Sequence, residues 1–203
     1  MRRNIFTAAL VVSCLALVSC SSSDSVEQPE DDLTQGNISD PAVSEEKLQI
    51  AGAACMAGPK ITGRPVRVVS TVAPITNLVG LIAGDIGPIV QGLVPEGTNS
   101  HTFEPPPSSV ATLENADIIF VNGMNLEDPT LELAKANAPK AVVCELGSSS
   151  LAESDWIYDF SFPKEGGKPN PHLWTNPPMA MSFATIIRDA LVNADPSNVD
   201  VYD

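Results

Sequence analysis

The chain has 203 residues, a formal charge of −14 from 25 acidic and 11 basic side chains, and 43% apolar residues. That length suits one domain or two small ones, and the apolar content excludes wholesale disorder. So few Lys and Arg cannot build the basic surface a phosphate backbone needs, so nucleic acid is excluded as a partner, while the negative field favours a cation.

The chain opens with a basic Met1-Arg2-Arg3 and an apolar stretch over residues 5–18. This stretch is shorter than the ~20 residues of a membrane-spanning helix and fits a secretory signal. Leu17-Val18-Ser19-Cys20 resembles a bacterial lipobox, which implies a signal peptide over residues 1–19 and a lipid on Cys20. Residues 20–60 are rich in Ser, Asp, Glu and Pro and read as an acidic disordered tether, because they cannot bury enough apolar area to offset ordering entropy. Cys14 leaves with the signal, and Cys55 and Cys144 remain in an exported chain, where oxidation is allowed. They either pair, tying the tether's end to the domain, or Cys144 is an apolar filler in a buried strand.

Residues 61–194 read as one α/β lobe. Residues 67–72 are a β-branched first strand. Pro74 then opens a helix whose inward face is Ile75, Leu78, Val79, Ile82 and Ala83, ended by Gly84. Residues 86–94 read as a second strand, 108–116 as a short helix and 117–121 as a buried third strand. Asp128 is placed as an N-cap and Pro129 at the first position of a helix reaching Ala138, followed by a fourth strand over 141–144. Residues 146–176 read as a long loop. A helix from Pro177 buries Phe183, Ile186, Ile187, Ala190 and Leu191, and Asp195-Pro196 caps a further one. Strands alternating with helices predict a parallel sheet covered on both faces.

The only two histidines stand in proline-braced loops, His101 after the second strand and His172 after the fourth. In an open parallel sheet both loops emerge at the carboxyl edge, where ligands bind. Neutral imidazole suits Zn²⁺, and Mn²⁺ with carboxylate co-ligands. Spacing alone favours structural or exposed histidines over ligands. Glu96 and Glu104 read either as ligands or as solvated turn residues, and Trp174 either stacks on a substrate or braces its loop.

The ordered set of motifs is more specific. Leu93 to Ser108 match "LVPxGxxxHxFEPxPS", Ala116 to Glu127 match "ADIIFVNGMNLE", and Pro171 to Trp174 match "PHxW". Over residues 64–203 the chain resembles the metal-binding receptors of zinc and manganese ABC importers. The resemblance implies two α/β lobes joined by a long helix, with the metal between them. It makes His101 and His172 the two ligands of the amino-terminal lobe, and a His or Glu and an Asp the ligands of the second. Residues 195–203 would then begin the inter-lobe helix of a truncated form. Asn170 and Asn176 stand where many members carry Asp, which leaves open what orients the His172 ring. No histidine-rich loop separates the two ligands, which leans towards manganese or a plain zinc receptor.

The resulting expectation is a monomeric lipoprotein on the outer face of the bacterial cytoplasmic membrane. It would hand Zn²⁺ or Mn²⁺, as cargo, to an ABC permease, and no enzymatic activity is expected. The alternatives are a surface adhesion lipoprotein without metal and, less favoured, a zinc hydrolase, for which the sequence offers no HExxH or GxSxG.

Overall fold

The computed structural model describes residues 53–203 apart from Ile86. The signal, Cys20 and the tether up to residue 52 lie outside the described residues. Four strands, β1 (Arg67–Ser70), β2 (Ile89–Gly92), β3 (Ile118–Val121) and β4 (Val142–Glu145), form one sheet in the order β2-β1-β3-β4. Every pairing is parallel. The helices are α1 (Ala73–Ala83), α2 (Ser109–Glu114), α3 (Asp128–Asn137), α4 (Leu146–Ser150), α5 (Pro177–Ala194) and α6 (Val199–Tyr202).

The period-two geometry of a strand explains the two cores. Val68, Ile118 and Phe120 point to one face, where they pack with Ile75 and Val79 of α1 and Phe183, Ile187 and Leu191 of α5. Val69, Ile119 and Val121 point to the other, against Leu113 of α2 and Ala134 of α3. All four β3 residues are therefore buried, and its uninterrupted apolar run is that of a central strand. The five α5 residues expected inward are all buried.

Several boundaries differ from the sequence expectation. β2 is shorter than residues 86–94 because Pro88 has no N–H for the ladder, and pairing begins with the Ile89 N–H on Val66 O. The N-cap of α3 is Glu127 rather than Asp128, and its side chain makes no capping hydrogen bond. The segment 146–176 is not a plain loop: it opens with α4 and contains short 3₁₀ turns at Glu153–Asp155, Lys164–Gly166 and Leu173–Thr175. Gly147 permits α4 to form directly after β4, since a Cβ there would meet Met124 Sδ at 2.7 Å and Asn122 O at 2.9 Å.

A larger correction concerns the tether's end. Residues 53–59 belong to the folded unit rather than to a tether reaching residue 60. Ala53–Met56 form a 3₁₀ turn against β4 and α5. Cys55, 2% exposed, is disulfide-bonded to Cys144 of β4 with a Cα separation of 4.8 Å. The cross-link supplies the ordering that the local composition cannot.

Candidate metal centre

The floor of the site is built where the strand order reverses, at the carboxyl ends of β1 and β3. Glu127, 1% exposed, places its carboxylate there. Oε1 accepts the Thr71 hydroxyl and the Asn122 N–H, both at 2.6 Å, and Oε2 accepts the Gly123 N–H at 3.2 Å. Burial pushes its pKa above the ordinary glutamate value, against these hydrogen bonds. The bonds hold a tight turn in which Gly123, Met124 and Asn125 all have positive φ. Asn122 Nδ2 then donates to Pro171 O at 3.0 Å, which fixes the residue before His172 to this floor.

The two histidine loops reach over the floor from opposite edges. After β2, the Leu93 and Val94 N–H groups continue the ladder to Ser70 O and Thr71 O. A turn closes from Thr98 N to Pro95 O, with Gly97 at φ 76°. Asn99 Oδ1 then accepts the His101 N–H at 3.0 Å. After β4, the loop leaves through α4 and returns, with the Asn170 N–H on Ile157 O at 2.8 Å. His172 heads the turn Leu173–Thr175, and Thr175 caps its carbonyl.

The two loops bring His101 Nε2 and His172 Nε2 to 3.2 Å although the residues are 71 apart in sequence. Two Zn–N bonds of about 2.0–2.1 Å at a tetrahedral angle set their nitrogens about 3.3 Å apart. The imidazoles therefore converge at a spacing that one metal ion spans. Phe162 lies against both rings, with centroids 6.0 Å from His101 and 5.5 Å from His172, and Trp174 lies edge-on to His172 at 5.2 Å. Burial first, and then the neighbouring His101, lower the His172 pKa, while Asp159 acts in the opposite sense. The net effect favours the neutral, metal-binding form of the ring.

Among the described residues no group of three or more His, Cys, Asp or Glu could hold a metal, so Glu96 and Glu104 do not complete a site around the pair. Glu96 instead lines a groove of about 450 Å³ against α1 and β2 that contains neither histidine. A crevice of about 100 Å³ does border His172, between Ile157, Asn170, Asn176 and Met179.

Two residues of the site, Asp159 and Phe162, lie outside the sequence motifs. The turn 159–162 is closed by the Asp159 N–H on Phe162 O at 3.0 Å and the Phe162 N–H on Asp159 O at 3.2 Å. It delivers Phe162 to the imidazoles and Asp159 to Asn170, whose Nδ2 donates to Asp159 Oδ2 at 2.6 Å. That hydrogen bond, more than any other cause, holds the Asp159 carboxyl below the usual carboxylate range. Only the Asp-x-Ser turn chemistry of residues 159–161 hinted at an ordered bend here.

The fold agrees with the comparisons to known proteins. A family described as zinc-uptake complex component A, periplasmic, matches residues 68–203, and the chain belongs to this family. Among its relatives, the iron-binding protein YfeA of Yersinia pestis is 33% identical over 147 residues, covering 71% of this chain and 44% of YfeA. The manganese ABC transporter substrate-binding lipoprotein PsaA of Streptococcus anginosus is 32% identical over 163 residues, covering 76% of this chain and 50% of PsaA. A cadmium-bound periplasmic metal-binding protein from Candidatus Liberibacter asiaticus superposes with a TM-score of 0.57 at 28% identity, covering 68% of this chain and 48% of that one. The chain spans about half the length of the relatives it matches. These relatives are binding receptors rather than enzymes. No helix among the described residues is long and apolar enough to cross a membrane.

Proposed function

We propose that this chain is the amino-terminal lobe of an extracytoplasmic receptor that captures a divalent transition metal, zinc or manganese, and presents it to an ABC permease. His101 and His172 bind the ion through Nε2, and the remaining positions go to groups outside this lobe or to water. The lipid on Cys20 keeps the receptor at the membrane. One observation carries the reading, the 3.2 Å approach of the two Nε2 atoms from loops on opposite sheet edges. The names of the relatives, which include iron-, manganese- and zinc-linked proteins, support the class of cargo and leave the particular metal to experiment.

The test is calorimetric titration of the exported chain with Zn²⁺ and Mn²⁺, beside His101→Ala and His172→Ala. Each substitution is expected to weaken binding at least 100-fold, about 2.7 kcal/mol. Unchanged affinity in both variants would refute the site. Absence of any binding by the parent under excess metal would leave the adhesion reading in its place.

A further inference from the structure

Asp159 stands apart from the histidine pair, yet a chain of hydrogen bonds joins it to one imidazole. Its Oδ2 accepts from Asn170 Nδ2 at 2.6 Å. Asn170 Oδ1 faces His172 Nδ1 at 2.8 Å and accepts the His172 backbone N–H at 3.0 Å. An ionised carboxylate only accepts, so it takes the NH₂ end of the amide. A backbone N–H only donates, so it takes the oxygen end. Both constraints orient Asn170 the same way, and an amide oxygen beside Nδ1 requires the proton to be on Nδ1. A neutral imidazole has a single N–H. His172 Nε2 is then left with its lone pair, and Nε2 is the atom that faces His101.

Building on the reading of His172 as a ligand, we propose that Asp159 is a positioning residue of the metal centre. Acting through Asn170, it holds His172 as the Nδ1–H tautomer with the Nε2 lone pair turned to the cation. The two carboxylate oxygens divide the work. Oδ1 accepts the Ser161 and Phe162 N–H groups at 2.8 and 3.0 Å and so ties its own turn, while Oδ2 grips the amide. The same turn sets Phe162 against both imidazoles. A carboxylate would ordinarily meet a ligating histidine directly and raise its basicity. Here an asparagine stands between the two and relays the orientation.

Two variants separate positioning from structure. Asp159→Asn keeps an oxygen to tie the turn and removes the charge; Asp159→Ala removes the acceptor. The readouts are the ¹⁵N shifts of the His172 ring in the metal-free chain and its Zn²⁺ affinity by calorimetry. The parent is expected to show His172 as the Nδ1–H tautomer. Asp159→Ala is expected to show mixed tautomers and about tenfold weaker zinc binding, the low end of what such outer partners supply. Asp159→Asn should fall between the two. Adding Asn170→Asp to Asp159→Ala places a carboxylate directly on Nδ1 and should restore both readouts. A tautomer and an affinity that do not change in Asp159→Ala would overturn the proposal. So would Asp159→Asn matching the parent in both readouts, since the carboxylate would then only support its turn. If Asp159→Ala shifts the tautomer while His172→Ala binds zinc like the parent, the relay stands and the ligand assignment fails.

Discussion

The two edges of the sheet carry one histidine each and are built differently. At the β2 edge the strand is largely exposed, with Ile89 at 57%, and His101 is held by short-range bonds within its own loop. At the β4 edge the strand is covered by the Ala53–Met56 turn and cross-linked through Cys55–Cys144. His172 there is tied to the protein floor by Asn122, to the loop by Asn170 and to α5 by its following turn. One histidine is thus fixed by long-range contacts and the other by local turn chemistry. Pre-organisation of that kind lowers the ordering cost of binding, and it is concentrated on His172.

Breaking the cross-link should have the largest effect. It closes a loop with a sequence separation of 89, and on the chain-entropy estimate reduction, or Cys55→Ala with Cys144→Ala, should cost about 4.6 kcal/mol in denaturant unfolding. Ile89→Ala, at the exposed edge, should cost less than ~1 kcal/mol. Equal losses at the two edges would break the comparison.

The shared floor comes next. Glu127→Ala would strand the Asn122 and Gly123 N–H groups without an acceptor and leave the Thr71 hydroxyl only its 3.4 Å bond to Phe120 O, at a cost of about 3 kcal/mol in the same unfolding measurement. Its pH dependence has a definite sign. Burial raises the Glu127 pKa above the ordinary 4.5, so the folded state holds the proton more tightly than the unfolded chain. The associated stability is fully present below the ordinary value and is lost as pH rises through the raised one. Glu127→Gln cannot titrate, and above pH 4.5 its stability should be flatter with pH than that of the parent.

The smallest effect is expected at the far end of the sheet. Arg64 pairs with Asp117 at 2.6 Å near the amino ends of β1 and β3, and its side chain is 39% exposed. Arg64→Ala should cost less than ~1 kcal/mol and leave zinc affinity unchanged. A change in affinity would show that the two ends of the sheet are coupled.

What could be read from the sequence follows the range of the interactions. β3 is legible because a four-residue apolar run between polar neighbours has one stable home, the middle of a covered sheet. α5 is legible because its buried face repeats at helical spacing. Both histidines stand out through their motifs. Asp159 and Phe162 do not, since their place depends on the loop closing from Asn170 N to Ile157 O. The end of the tether is misread for a similar reason: Cys55 is ordered by a partner on β4, and the residues around it carry no pattern of their own. Glu127 stands in the sequence only as the last residue of its motif, and only the fold brings Thr71 and Asn122 to its carboxylate.

The most direct test of the two-histidine centre is a crystal structure of the chain grown with Zn²⁺ and read by anomalous scattering at the zinc edge. A peak about 2 Å from both His101 Nε2 and His172 Nε2 is the predicted result. Zinc bound to one imidazole alone, or found only at sites that include neither, would contradict it.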